Sequence, residues 1–220
     1  MNKEIRSIDF EIRAEESERE GRAGRLTGTP IVFNQVTDLG WIREMIEPGA
    51  LDNADLKDVR FLIGHDTTMI PLARSRNNNE NSTMQLSVTE KGMDIRVDLD
   101  IEGNPRAKEL YSAVKRGDLS GMSFMFTVDK DSLEDLDSDQ PLRRITSIKR
   151  VFEVSAVTFP AYEGTSIEAA SDGEALESVK AALESAREKL REERAAEAEQ
   201  ERRRAVLDWL ENYKKGAGKE

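Results

Sequence analysis

The segment STMQLSVTEKGMDIRVDLD, residues 82–100, decides the class of fold because apolar and polar residues alternate along it. Successive side chains of a β-strand point to opposite faces, so a period of two indicates strands with one buried face. The two runs, STMQLSVTE and KGMDIRVDLD, therefore predict a β-hairpin. Its apolar positions are Met84, Leu86, Val88, Met93, Ile95, Val97 and Leu99.

Most of the chain around this hairpin also reads as strands. A helix is predicted from the Asn104-Pro105 cap to Gly117, a short helix near 50–54, and an acidic loop over 129–140. This pattern favours a barrel or sandwich with two short helices over alternating βαβ units. The predicted strands cover 5–13, 26–33, 58–66, 120–128 and 142–162, the last as two strands or as one long bent strand halted by Pro160.

The C-terminal part has a different composition. Residues 174–215 contain neither glycine nor proline and are rich in Ala, Glu, Arg, Lys and Leu, which is typical of a long helix. A 3-4 spacing of apolar residues over two heptads predicts a short coiled-coil seam. We therefore expect a domain over 1–170 and a charged helical extension over 171–220. The seam residues are Leu176, Val179, Leu183, Ala186 and Leu190.

Charge and composition exclude several function classes. The formal net charge of −11 argues against a nucleic-acid binder, which normally carries a basic excess. Without cysteine and with His65 as the single histidine, the chain offers no thiolate or multi-histidine metal site. The N-terminus MNKEIRSIDFEIRAEE lacks the apolar core of a secretory signal, and no run is long enough to span a membrane. We expect a soluble, intracellular protein that binds neither nucleic acid nor membrane.

Three motifs could carry chemistry: FLIGHD (61–66), DLSGMSF (118–124) and FEVSAVTFPA (152–161). Each by itself is commonly structural. Together they supply a serine, a histidine that can take its proton, and a carboxylate that can orient the histidine. The residues alone leave open whether Ser120 or Ser123 is the nucleophile, and whether Glu153 or Asp66 orients His65.

Other patterns predict no cofactor or metal. The acidic loop begins like a calcium loop, but Leu133 stands at a ligand position and the required glycine is missing. The glycines at 21, 24 and 28 lack the strand-to-helix context of a phosphate-binding loop. The basic run ERRRA (201–205) lies within a net-acidic tail and is interpreted as a helix face.

The ordered set of motifs resembles the tailed-phage (HK97-like) prohead protease family over roughly residues 8–167. The matching landmarks are IEPGAL (46–51), FLIGHD, GMSF and FEVSAVTFPA. The resemblance implies a fold related to the herpesvirus assemblins, mainly β with flanking helices (α+β), as a small β-barrel followed here by a long C-terminal helix. It implies His65 as general base, Ser123 as nucleophile and Glu153 as the orienting group. One departure is Met125, where family members often have glycine after the MSF residues.

For function, the resemblance implies a serine endopeptidase without cofactor. Its partners would be the major capsid protein and the scaffolding segment of that protein. It would cleave this segment, and also itself, inside the procapsid in the host bacterial cytoplasm. The alternatives are a non-enzymatic capsid-assembly or scaffolding protein with a vestigial protease fold, and a peptide-binding β-module. We expect the tail either to self-associate or dock on scaffold or capsid, or to be a solvated single helix.

Overall fold

The protein is described by a computed structural model over residues 3–8, 12–16, 24–158 and 173–217. Two compact units are present, Met1–Glu177 and Ser178–Glu220. Part of the strand predicted over 5–13, the terminator Pro160 and the domain boundary predicted at residue 170 lie outside the described residues.

Eleven strands and two helices make up the described chain, and the strands form two sheets. One sheet has the order β1-β10-β11-β5-β4, with β6 and β7 attached through β11; the other has the order β2-β3-β9-β8. The elements are β1 Glu4–Ile8, β2 Arg13–Glu16, β3 Gly24–Val32, β4 Val36–Asp38, β5 Arg43–Ile46, β6 Asp58–Ile63, β7 Ala73–Arg76, β8 Met84–Thr89, β9 Gly92–Leu99, α1 Pro105–Arg116, β10 Gly121–Glu134, β11 Leu142–Val157 and α2 Gly173–Ala217.

The predicted mainly β, α+β class is confirmed, but the sheets of the described residues are not closed into a barrel. The two ends of the sheet path, β1 and β4, do not pair with each other in the described residues, and β11 has two different neighbours along one edge. Its first residues pair in parallel with β5, and Glu153 to Ala156 pair in parallel with β6. The sheet therefore branches along this strand, with β1 and β4 at the ends of its path.

β10 and β11 form a long antiparallel hairpin, which corrects the acidic loop predicted over 129–140. Residues up to Glu134 belong to β10, and only the turn that follows leaves the sheet. Cross-strand charges explain this extension: Arg143 on β11 contacts Asp131, and Arg144 contacts Glu134. Opposite charges facing one another across a strand pair stabilise the pairing that acidic residues alone would disfavour.

The helix predicted near 50–54 is also wrong. Its backbone bonds run from residue i+3 to residue i, as in Asp52 N–H to Gly49 carbonyl and Ala54 N–H to Leu51 carbonyl, which is a series of turns. The α1 prediction is confirmed. The Asn104 side chain accepts from the N–H of Arg106 at 3.1 Å, and Gly117 ends the helix in the left-handed conformation at φ 78°.

The predicted hairpin is β8–β9, and its apolar face fills the core except at the exposed Val88. Gly92 sits where β9 passes β3 at φ 151°, and a Cβ there would lie 1.9 Å from the Ile31 carbonyl oxygen. Because that approach excludes any side chain, the glycine fixes where β9 can begin.

The predicted C-terminal helix is confirmed as α2. Four apolar side chains near its end are exposed: Val206, Leu207, Trp209 and Leu210. Among the described residues, no helix combines the length and apolar character needed to cross a membrane.

Candidate active site

His65 lies immediately after β6, in a turn that bends the chain back over β11. Gly64 and His65 both have left-handed backbone, with φ of 59° and 60°. For a non-glycine residue such backbone costs on the order of 1–3 kcal/mol, and it persists only where the surroundings enforce it. Here the Gly64 N–H donates to the Ala156 carbonyl at 3.0 Å, and the His65 N–H donates to Ser155 Oγ at 3.0 Å. β11 therefore fixes the position of the histidine.

Glu153 contacts the imidazole ring directly. Its Oε1 lies 2.6 Å from His65 Nδ1, and its Oε2 accepts a 2.6 Å hydrogen bond from Ser155 Oγ. The carboxylate is only 2% exposed, so both oxygens need donors to offset its desolvation. With Nδ1 donating to Glu153, the proton-accepting nitrogen of a neutral ring is Nε2. That atom is buried and has no hydrogen-bond partner in the described part of the chain.

Ser155 joins these groups and was not singled out from the sequence. Its hydroxyl accepts from the His65 backbone and donates to Glu153, and the residue is fully buried. The signal was present in the motif EVS, since residues two apart on a strand share a face. What the motif could not show is that the histidine turn would come within reach of this hydroxyl.

Ser123 lies on the same face of the hairpin. In the β10–β11 register it is directly opposite Ser155, while Met125 is opposite Glu153. Directly opposite residues have Cβ atoms about 4.5–5.5 Å apart. Of the three predicted residues, His65 and Glu153 are bonded to each other, and Ser123 lies opposite Ser155, which bonds to both of them.

The Ser123 hydroxyl itself is turned towards β1. It donates to the Arg6 carbonyl at 2.9 Å and accepts from Ser7 Oγ at 3.0 Å, and Ser123 is fully buried. Ser7 is the residue opposite Ser123 in the β1–β10 register. The hydroxyl of the nucleophile predicted from the sequence is therefore bonded to the N-terminal strand.

The two competing residues lie elsewhere. Ser120 precedes β10 and is exposed. Asp66 uses Oδ1 to accept from the backbone and hydroxyl of Thr68, which together hold the pKa of this exposed carboxyl below its usual value. Asp66 thus organises its own turn, and the imidazole is bonded to Glu153.

On the opposite face of β1 lies a second group of charges, buried except for Asp131, which we call the arginine cluster: Glu4, Arg6, Glu44, Asp131 and Arg143. Arg6 contacts Glu44 through two nitrogens, and Arg143 contacts Glu4, Glu44 and Asp131. Burial opposes ionisation of Glu44, but the two arginines outweigh it and hold the pKa of Glu44 below its usual value.

Comparison with known proteins shows the family of the chain. The model of the caudovirus prohead serine protease family matches residues 9–180. The chain belongs to this family. It is also similar to the prohead protease of Enterobacteria phage HK97, with 26% identity over 179 residues, covering 80% of this chain and 73% of that protein. No solved structure matches.

Membership of the family makes the chain a serine peptidase of capsid maturation in the phage prohead, which confirms the predicted enzyme class. β1 lies before the first matched residue, so this strand is outside the part of the chain that the family model covers. Among the described residues, no cluster of three or more histidine, aspartate or glutamate side chains could hold a metal ion.

Proposed function

We propose that the protein is an endopeptidase that cuts peptide bonds by Ser-His-Glu acyl-enzyme chemistry, with Ser123, His65 and Glu153 in these roles. The observation that carries this proposal is the 2.6 Å contact between His65 Nδ1 and Glu153, which leaves the buried Nε2 as the nitrogen that can accept a proton.

In the proposed reaction, His65 Nε2 takes the proton of the Ser123 hydroxyl as Oγ attacks the substrate carbonyl carbon. Glu153 keeps the ring in the required tautomer and stabilises the imidazolium that forms. Collapse of the tetrahedral intermediate breaks the C–N bond, and the imidazolium gives its proton to the leaving amine. Water then attacks the acyl-enzyme with His65 again as base, which releases the new carboxylate and restores the serine.

The proposed substrate is the scaffolding segment of the major capsid protein, with self-cleavage as a second reaction, both inside the procapsid in the host bacterial cytoplasm. Family membership supports the prohead as the site of action. The chemistry requires nothing beyond an extended peptide and a water molecule.

Replacing the nucleophile tests this proposal. Ser123→Ala and His65→Ala should each lower cleavage by several orders of magnitude, on the order of 10³–10⁶, as is usual when one member of such a triad is removed. The measurement is processing of co-expressed capsid protein and self-trimming, followed by gel and mass spectrometry. Ser120→Ala is the matched control and should cleave normally. Near-normal processing by Ser123→Ala would show that the nucleophile is elsewhere.

For the tail, we propose that α2 directs the enzyme into the procapsid by self-association or by docking on scaffold or capsid. The exposed Val206, Leu207, Trp209 and Leu210 support such contacts. A protein ending near residue 170 should keep peptidase activity but lose incorporation into procapsids. If the truncated protein has lost its peptidase activity in dilute solution, α2 belongs to the catalytic unit instead.

A further inference from the structure

The covered nucleophile calls for an explanation, because a peptidase serine must reach the carbonyl carbon of a substrate. Ser123 has no exposed surface, and its hydroxyl is engaged by Arg6 and Ser7 of β1. While the hydroxyl donates to the Arg6 carbonyl, its proton cannot be transferred to His65. In this arrangement the Ser123 hydroxyl is bonded to β1 rather than to His65.

β1 covers the nucleophile as a strand at the end of its sheet. It pairs antiparallel with β10 from Glu4 opposite Phe126 to Ile8 opposite Met122. Extended peptides bind proteins in the same way, by adding a strand to an open sheet edge through backbone hydrogen bonds. Removing β1 would expose such an edge beside the catalytic serine.

We propose that the edge of β10 that pairs with β1 is the binding site of the substrate peptide. β1 occupies this edge as a substrate mimic until a substrate displaces the strand. This inference rests on the proposed function. It adds where the substrate lies, which residue precedes the cleaved bond and how activity is held off.

The register identifies the residue at the reaction centre. The Arg6 carbonyl oxygen lies 2.9 Å from Ser123 Oγ, so Arg6 holds the position of the residue before the scissile bond and Ser7 that of the residue after it. With β1 bound, the Ser123 hydroxyl donates to the Arg6 carbonyl oxygen. Cleavage requires this hydroxyl to donate its proton to His65 while Oγ attacks the carbonyl carbon of the substrate. β1 therefore mimics the substrate position without being presented for attack.

The arginine cluster indicates the side chain that this position selects. Glu44 and Asp131 belong to the body of the domain, where Arg143 contacts both. When β1 leaves, Glu4 and Arg6 leave with it, and two carboxylates face one guanidinium. Glu44 is buried and Asp131 is partly exposed, and the negative charge of Glu44 favours a cation at the position of Arg6. The proposed substrates are extended peptides with Arg or Lys immediately before the cleaved bond.

Charge reversal in β1 of the full-length protein tests displacement. Arg6→Glu places a carboxylate against Glu44 and should release β1, which hydrogen exchange of amides 4–8 would report. A fluorophosphonate probe, which labels activated serines, should then modify Ser123 about tenfold faster or more than in the wild type, because the competent fraction rises. Arg96→Glu is the matched control, a charge reversal at an exposed arginine on β9, and should label at the wild-type rate.

Unchanged labelling of Ser123 after release of β1 would overturn the inference. If Arg6→Glu leaves β1 bound, deletion of residues 2–8 removes it outright, and a folded deletion protein that labels no faster than the wild type has the same consequence. A synthetic peptide of residues 1–8 should restore the slow rate when added to either variant, and its failure to do so contradicts the shared site. Labelling that persists in the Ser123→Ala protein would instead contradict the proposed nucleophile.

The substrate preference has its own measurement. Two fluorogenic peptides that differ by Arg or Glu before the cleaved bond would be compared on the Arg6→Glu protein. We expect the arginine peptide to be cleaved about tenfold faster or more, since the glutamate peptide adds a like charge beside Glu44. Equal cleavage rates for the two peptides would show that the arginine cluster does not recognise the substrate side chain.

Discussion

Two buried polar groups lie on opposite faces of the β1–β10 pair, and they differ in whether their hydrogen bonding is complete. In the arginine cluster, Arg6 and Arg143 are each paired with at least two carboxylates. At the active site, Glu153 is fully paired, but His65 Nε2 has no partner within the described residues. A satisfied buried network gives rigidity, whereas a buried base without a partner is free to accept a proton. The difference separates a group that holds structure from one equipped for reaction.

β1 connects the two groups because neighbouring residues of a strand point to opposite faces. Ser7 contacts Ser123, the proposed nucleophile, and Arg6 contacts Glu44 in the arginine cluster. We therefore expect the charges on one side to influence how firmly β1 holds Ser123 on the other.

The largest expected effect is on catalysis by Glu153→Gln. The neutral amide favours the wrong imidazole tautomer and cannot stabilise an imidazolium, so kcat should fall by roughly 10⁴. Thermal stability should change little, because the two side chains are the same size. Peptide cleavage and thermal unfolding measure the two quantities, with Glu90→Gln in an exposed turn as control. If Glu153→Gln lost much of its thermal stability but kept a normal kcat, the role of Glu153 would be to stabilise the fold and not to take part in catalysis.

Arg143→Ala should have the opposite profile. It leaves Glu4 and Glu44 buried without this guanidinium, and breaking such a buried pair costs about 3–5 kcal/mol of unfolding free energy. Urea denaturation measures the loss. Arg96→Ala, at an exposed site, should stay within about 0.5 kcal/mol of the wild type. If the two variants were equally stable, the arginine cluster would not anchor β1.

Ser155→Ala should be intermediate. It removes the donor to Glu153 Oε2 and the acceptor of the His65 N–H, and a buried polar group left unpaired costs about 1–3 kcal/mol. If the lost hydrogen bonds also let the imidazole ring shift from its catalytic position, kcat should fall roughly 10–100-fold. Ser155→Thr keeps the hydroxyl and should retain more activity than the alanine variant. Equal rates for both variants would show that the hydroxyl does not position the catalytic groups.

The smallest effect is a pH dependence of stability. Because the pKa of Glu44 is lower in the folded protein than its usual 4.5, the unfolded chain binds the proton more readily. The stabilisation by Glu44 is therefore complete above pH 4.5 and is lost as the pH falls through the lower, folded value. The urea concentration at the unfolding midpoint would be measured from about pH 6 down to about pH 3, the range in which carboxyl groups titrate. As the pH is lowered, this midpoint should fall less steeply for Glu44→Gln than for the wild type. Parallel curves would contradict the role given to Glu44.

Local patterns predicted the hairpin β8–β9, the capped helix α1 and the long helix α2, because their periodicity and caps lie within short segments. The acidic residues 129–134 were wrongly assigned to a loop because their strand depends on Arg143 and Arg144 across the hairpin. Closure into a barrel was wrong because the end strands β1 and β4 do not pair with each other in the described residues. These outcomes follow from pairing between distant segments.

The amino-acid sequence by itself determined the class of fold and, through its ordered motifs, the three side chains of the candidate site. Only the tertiary structure brought Ser155 between Glu153 and His65, and only it laid β1 across Ser123. The physical reason is that motifs are read along one strand, whereas these contacts join residues 90 and 116 positions apart. Such contacts depend on strand register and on a turn held in left-handed backbone, both of which come from long-range hydrogen bonds.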